Sequence, residues 1–121
     1  MSHRILIVDD EPNIVISLEY LMKKEGFQVV VATDGEAALQ LASEFLPDLI
    51  LLDVMMPKKS GFEVCQALRA DPAMAAIKII MVTAKGRETE VAKGLALGAN
   101  AYITKPFSTK ELVLQIKSLL A

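Results

Sequence analysis

The chain has 121 residues, 53% of them hydrophobic, which suffices for one domain with a buried core. Its formal net charge is only −2 and no basic run is present, so composition excludes the usual signature of direct nucleic-acid or membrane-surface binding. The N-terminal apolar run stops at Asp9, too early for a signal peptide or a membrane span, and the single cysteine, Cys65, cannot form an internal disulfide. We therefore expect a cytoplasmic domain.

Five short apolar runs predict five β-strands. Each run is continuous rather than alternating, as expected for strands that are buried on both faces of a parallel sheet. In chain order the runs are residues 5–8, 29–32, 49–52, 79–82 and 101–103.

A helix is predicted after each strand. The first, second and fifth helices show apolar residues at helical spacing, and the third and fourth are predicted as shorter helices over residues 62–68 and 91–97. The residues that carry the spacing are Ile14, Leu18, Leu21 and Met22, then Ala38, Leu41, Ala42 and Phe45, and finally Leu112, Ile116 and Leu119.

Residues typical of helix ends support these helices. Three Ser/Thr-x-x-Glu sequences predict capping boxes, one proline stands where the first helix opens, and two glycines stand where left-handed C-caps end helices. They are the pairs Thr33–Glu36, Ser60–Glu63 and Ser108–Glu111, then Pro12, and then Gly26 and Gly98.

Strand and helix therefore alternate five times. This alternation implies right-handed βαβ units, a parallel sheet and helices on both of its faces. We predict one domain over residues 1–121 with a doubly wound α/β fold in three layers. The five strands are expected in the flavodoxin-like order 2-1-3-4-5.

Polar residues follow four of the predicted strands. Asp9 and Asp10 follow the first strand, Asp53 the third, Thr83 the fourth and Lys105 the fifth. In a doubly wound sheet, ligands bind beyond the carboxyl ends of the strands, where the strand order reverses. With the order 2-1-3-4-5, the first and third strands are neighbours at that point. We therefore expect the three acids to converge, with the hydroxyl and the amine beside them.

The acids have a simpler alternative role. An acid near a helix N-terminus gains about 0.3–1 kcal/mol from the helix dipole. Three clustered carboxylates, however, repel one another by on the order of 4 kcal/mol per pair at about 4 Å and an effective dielectric constant near 20. The cluster therefore needs raised pKa values or a bound cation. Mg²⁺ prefers oxygen ligands such as these carboxylates, and it commonly binds a phosphate at the same time.

Phosphoryl transfer suits this set of residues. An aspartate can attack phosphorus and form an aspartyl phosphate, and the transfer depends on positioning and on neutralising the phosphoryl oxygens. Lys105 supplies a positive charge for that purpose, and Thr83 supplies a hydroxyl donor.

Other uses of the fold are disfavoured. Both the dinucleotide fingerprint G-x-G-x-x-G and the P-loop are absent, and the acidic residues 9–12 would repel the phosphate of a flavin. The only histidine, His3, lies at the N-terminus, which argues against a nucleophilic triad. Two alternatives stay open at this point: a Mg²⁺-dependent phosphohydrolase that uses the same acids, and a pure interaction module.

Several motifs, in order along nearly the whole chain, resemble the response-regulator receiver domains of two-component signal transduction. Together these motifs are specific, although each alone would be weak. They are residues 7–11 (IVDDE), 52–57 (LDVMMP), 61–63 (GFE), 82–84 (VTA), 98–99 (GA) and 102–107 (YITKPF).

The resemblance implies roles at the acidic edge. Asp53 is expected to be the phosphoacceptor. Mg²⁺, or Mn²⁺, is expected to bind Asp10 and Asp53 directly, Asp9 largely through water, and the backbone carbonyl of Met55.

The resemblance also implies a switch and its partners. Lys105 is expected to contact the phosphoryl group and to precede a cis bond to Pro106, while Thr83 and Tyr102 form the switch pair. The expected donor is a phosphohistidine on a sensor histidine kinase or a phosphotransfer protein. The face built from the fourth helix, fifth strand and fifth helix would then control an effector domain or protein, or form a homodimer.

The chain departs from one subgroup of that family. Members that dimerise and bind DNA through a winged helix often carry acids at the positions of Asn100 and Ala101, and an arginine at that of Gln115. Those charges are missing here. The sequence therefore does not support the charged dimer interface of that subgroup, or its output through a DNA-binding winged helix.

Overall fold

The structure is a computed structural model that describes residues 3–56, 58–84 and 87–121. Strands and helices alternate as predicted, and no helix within the described ranges is long and apolar enough to cross a membrane. Pro57, part of one of the motifs, lies outside the described residues. The elements are β1 (Arg4–Val8), α1 (Pro12–Lys24), β2 (Gln28–Ala32), α2 (Gly35–Phe45), β3 (Leu49–Asp53), α3 (Gly61–Ala70), β4 (Lys78–Ala84), α4 (Glu88–Ala96), β5 (Ala101–Lys105) and α5 (Thr109–Leu120).

All five strands are parallel, in the order β2-β1-β3-β4-β5, which confirms the predicted topology. The strand β1 lies between β2 and β3, and Val8 is paired with Leu52. The residues that follow these two positions, Asp9 and Asp53, are therefore brought to the same edge of the sheet.

The continuous apolar runs are explained by two separate cores. Alternate residues of each strand point to opposite faces of the sheet. In β1, Leu6 and Val8 pack into the core beneath α2 and α3, whereas Ile5 and Ile7 pack into the core beneath α1 and α5. Cys65 of α3 is fully buried in the first of these cores, and burial raises the pKa of its thiol.

The strands extend beyond the predicted runs, so Asp53, Thr83 and Lys105 belong to the strands rather than following them. The apolar run ends before these residues, but the backbone pairing continues. The Val54 N–H, for example, still donates to the Val82 carbonyl at 3.1 Å. A change of side-chain polarity therefore marks the end of the core and not the end of the strand.

Helix ends agree with the sequence at most positions. Both hydrogen bonds of the Ser60–Glu63 box are present, Ser108 accepts from the Glu111 N–H, and the glycines at 26 and 98 have φ of 89° and 112°. The prediction for α2 is wrong, because its N-cap is Asp34 rather than Thr33. The Asp34 carboxylate accepts from the Ala37 N–H at 2.8 Å and so provides the cap expected of the threonine.

The third and fourth helices are longer than predicted. They begin at Gly61 and Glu88, ahead of the first apolar residue of each pattern. The first turn of α4 carries Glu88 and Glu90, which the helix dipole favours and which apolar periodicity does not detect. The charged first turn therefore accounts for the residues missed in α4, whereas α3 extends past its prediction at Gly61, which has no side chain, and at its end, residues 69–70.

Arg69, at the end of α3, connects three parts of the chain. Its guanidinium donates to the carbonyls of Gly98 at 2.9 Å and Ile77 at 2.7 Å, and to Oδ1 of Asn100 at 2.9 Å. The same Asn100 oxygen accepts from the Ile79 N–H at 2.8 Å. Arg69 thus fixes the segments that precede β4 and β5.

We expect Arg69→Lys to lower the free energy of unfolding by about 1–3 kcal/mol, because an ammonium group cannot span these three acceptors. Urea denaturation measures the loss. Arg87→Lys is the matched control, since the Arg87 side chain is 56% exposed. Equal loss in both variants would contradict a specific role for Arg69.

Candidate functional site

Three carboxylates meet at the carboxyl edge of the sheet. Asp9 and Asp53 are only 1% and 5% exposed, whereas Asp10 is exposed. Each offers one oxygen, and the three oxygens lie within 4.8 Å of one another. The structure therefore brings together the acids that the sequence singled out, at the place where the strand order reverses.

Asp9 is held by the start of the following loop. Its Oδ1 accepts from the Glu11 N–H at 2.9 Å. Its Oδ2 is buried, and no donor among the described residues forms a hydrogen bond with it. The Nζ of Lys105 lies 3.1 Å from that oxygen, which makes an ion pair outside hydrogen-bond geometry. The Oδ2 of Asp9 is thus paired with a positive charge but accepts no hydrogen bond from the described residues.

Lys105 reaches the acids from the end of β5. Its Nζ donates to Oε1 of Glu11 at 2.8 Å and lies 3.8 Å from Oδ1 of Asp53. Burial lowers the pKa of this ammonium, but its contacts with Glu11 and Asp9 outweigh burial and hold the pKa above its ordinary value. The Lys105–Pro106 peptide bond is cis, as the resemblance implies.

The pKa of Asp53 is raised to about 7. Burial is the largest cause and the charge of Asp9 the next, while Lys105 and the Met55 N–H, which donates at 3.3 Å, oppose them. A carboxylate with neighbours of like charge is stabilised by a cation that binds them together.

The set of donors fits a divalent cation. Two buried carboxylates and one exposed carboxylate offer hard oxygens, and the buried Oδ2 of Asp9 accepts no hydrogen bond from the described residues. Magnesium prefers such oxygens and keeps several waters, which the open side at Asp10 accommodates. The residues present therefore fit Mg²⁺ or Mn²⁺.

Gly61 lets α3 begin directly against the strand that carries Asp53. A Cβ at this position would collide with the backbone carbonyl oxygen of Asp53. The Gly61 N–H also donates to the Val54 carbonyl at 2.9 Å. The close approach fixes the backbone that carries Asp53.

The two expected switch residues occupy different surroundings. Thr83 is 3% exposed, and its Oγ1 donates to Oε1 of Glu90 at 3.0 Å. Tyr102 is 43% exposed and lines a surface groove of about 580 Å³ together with Leu95 and Gln115. The threonine thus lies at the acidic edge and the tyrosine on the outer face of β5.

Sequence reasoning missed two residues at this edge. Glu11 stands out in the sequence only as part of an acidic run, yet it is the nearest partner of Lys105. Glu90 carries no signal, because it lies seven residues beyond Thr83, across a loop, on α4. Only the packing of a helix against a strand end brings such a pair together.

A doubly wound sheet with three acids, a lysine and a buried threonine at its carboxyl edge defines a class of phosphoacceptor signalling domains. Residues 5–117 match the family model described as the response regulator receiver domain, and the chain belongs to this family. It is thus a receiver domain of a two-component response regulator, as the sequence predicted.

Relatives agree with this assignment. The chain is 48% identical over 120 residues to the alkaline phosphatase synthesis transcriptional regulatory protein PhoP of Bacillus subtilis, covering 99% of this chain and 49% of PhoP. The chain thus spans about half the length of that relative.

Solved structures agree as well. A putative response regulator from Chloroflexus aurantiacus is 37% identical with a TM-score of 0.96, covering 99% of this chain and 98% of its own. The chemotaxis response regulator CheY4 of Vibrio cholerae is 29% identical with a TM-score of 0.92, covering 98% and 99%. These likenesses confirm the flavodoxin-like fold.

Proposed function

We propose that Asp53 accepts a phosphoryl group from a phosphohistidine of a sensor histidine kinase or a phosphotransfer protein, with the help of Mg²⁺ or Mn²⁺. The observation that carries this proposal is the buried Asp53 carboxylate, with two further acids within 4.8 Å and the Lys105 ammonium at 3.8 Å. This combination supports a nucleophile, a cation site and a positive charge close together.

The transfer itself is a displacement at phosphorus. An ionised oxygen of Asp53 attacks, the new O–P bond forms, and the P–N bond breaks with its electron pair passing to the imidazole of the donor. Lys105 and the Thr83 hydroxyl bind phosphoryl oxygens, which carry the charge during transfer. The ion pair with Glu11 and Asp9 holds the lysine ready at the edge.

Asp10, Asp53 and the backbone carbonyl of Met55 would hold the cation, with Asp9 acting largely through water. When bound, the cation offsets the repulsion among carboxylates and phosphoryl oxygens. Met55 is 65% exposed, so its loop lies open to an incoming donor.

The switch follows from the added charge. Phosphorylation adds about −1.5 to −2 charge units at Asp53. The Thr83 hydroxyl then turns to a phosphoryl oxygen, Tyr102 turns inward, and the face formed by α4, β5 and α5 changes shape. Phosphorylation can shift the equilibrium between the two conformations of this face only by as much as it stabilises one of them more than the other.

This face is the proposed output surface, and it has no charge at the three positions that are charged in the winged-helix subgroup. Asn100 is already occupied by Arg69 and the Ile79 N–H, and Ala101 and Gln115 carry no charge. An effector domain or protein, or a second copy of the chain, would bind here through exposed apolar side chains such as Leu95 and Tyr102, and through charged ones such as Lys93 and Glu111.

We place the chain, residues 1–121, as one receiver unit that works in the cytoplasm, where kinases form phosphohistidine. It is a signalling domain that promotes its own phosphorylation and slow dephosphorylation, and not a turnover enzyme. It does not itself contact nucleic acid, in keeping with its net charge of −2.

Incubation with Mg²⁺ and acetyl phosphate tests the proposal. Intact mass is expected to show a single phosphoryl adduct, stable in acid and labile in base, that EDTA prevents. Absence of an adduct with every donor would favour a pure interaction module. Rapid release of phosphate from many esters would favour a phosphohydrolase.

A further inference from the structure

The hydrogen bond between Thr83 and Glu90 ties the end of β4 to the first turn of α4. The donor–acceptor distance is 3.0 Å, Thr83 is 3% exposed, and the Glu90 side chain is 19% exposed. A charge-assisted hydrogen bond in such a shielded place is stronger than one in water. It links a residue of the phosphoacceptor edge to the helix that borders the output face.

A threonine hydroxyl has only one proton to donate. While Oγ1 of Thr83 donates to the Glu90 carboxylate, it cannot donate to a phosphoryl oxygen on Asp53. Glu90 and the phosphoryl group therefore compete for the same proton.

Arg87 supports the acceptor. Its NH1 lies 3.5 Å from Oε2 of Glu90, the oxygen that Thr83 does not use. The arginine is 56% exposed, so its contribution is small, but it pairs with one carboxylate oxygen while Thr83 donates to the other.

We propose that Glu90 is a positioning residue that holds the Thr83 hydroxyl in the unphosphorylated arrangement. This inference rests on the function proposed above for Thr83 and Asp53. Glu90 sets the population of the unphosphorylated state, and release of its hydrogen bond frees the first turn of α4 when the switch operates.

Beryllium fluoride with Mg²⁺, a stable mimic of the phosphoryl group on aspartate, tests the inference by calorimetric titration of the full chain. Glu90→Ala is expected to lower the apparent Kd about fivefold, because the mimic no longer competes for the hydroxyl. Glu90→Gln keeps an acceptor oxygen and is expected to lower the Kd by less, about twofold.

Two controls separate positioning from charge. Glu88→Ala removes an exposed acid from the same turn of α4 and is expected to leave the Kd unchanged. In a Thr83→Val background, Glu90→Ala is expected to have no effect, because the hydroxyl through which it acts is gone. A double-mutant cycle over these variants measures the coupling and is unaffected by a general loss of stability.

The outcomes are distinct. If the wild type binds the mimic and Glu90→Ala binds it with the same Kd, this inference is overturned but the proposed function is not. Equal effects of Glu90→Ala with and without the Thr83→Val substitution, or equal effects of the Ala and Gln variants, also overturn it, because charge alone would then suffice. Failure of the wild type to bind the mimic overturns the proposed function and this inference with it.

Discussion

Asp53→Asn is expected to abolish phosphoryl uptake from acetyl phosphate. The amide is a far weaker nucleophile than the carboxylate, and the neighbouring acids lie on other elements. Intact mass after incubation with Mg²⁺ measures the loss. Glu88→Gln, which removes an exposed acid outside the cluster, is expected to be phosphorylated like the wild type. If a phosphoryl adduct still forms in Asp53→Asn, the acceptor would be Asp9 or Asp10 instead.

The same substitution is expected to stabilise the metal-free protein at neutral pH. The pKa of Asp53 is about 7 in the folded chain, above its ordinary value of 3.8, because burial and Asp9 disfavour the charge. The folded state therefore binds more protons than the unfolded state between these values, and stability from this group falls as pH rises through that window. Below pH 3.8 both states are protonated and the effect vanishes.

Denaturation in EDTA across that range of pH measures the effect. Above about pH 7, the free energy of unfolding of Asp53→Asn is expected to exceed that of the wild type by about 1–3 kcal/mol. The difference is expected to disappear near pH ~4. Added Mg²⁺ stabilises the wild type and reduces the difference. A difference that is independent of pH would show that the Asp53 charge is not the cause.

The second large effect concerns the cation. Asp9→Asn is expected to weaken Mg²⁺ binding at least about tenfold, because it removes a buried charge beside the site and the cluster then attracts the ion less. The Oδ2 atom of Asp9 accepts no hydrogen bond from the described residues, and its ion pair with Lys105 leaves it able to accept one from a water of the ion.

Calorimetric titration with MgCl₂ at fixed ionic strength measures this change. Glu11→Gln is the matched control, because it removes one charge from the same loop on a side chain that is 59% exposed. We expect the control to change the Kd by less than about threefold, since an exposed charge is screened. Equal effects of the two substitutions would indicate that only the overall negative charge attracts the ion, and that Asp9 has no specific role in a cation site.

Local signals in the sequence were enough for most of the secondary structure. The apolar runs predicted the five strands because both faces of a parallel sheet are buried, and Ile5 to Val8 fill two cores at once. The α2 cap lies one residue beyond the predicted position, since Thr33 and Asp34 both have side chains that can cap a helix. Which of them caps depends on the path of the chain out of β2.

Residue type and spacing along the chain sufficed to predict the alternation of elements, the family, and the acids at the carboxyl edge, because each of these leaves a pattern in a short stretch of sequence. The pairing of Glu11 with Lys105 and of Glu90 with Thr83 leaves no such pattern. Those contacts join residues from different elements. Their distances depend on how helices and strands pack in three dimensions, which no local pattern of polarity records.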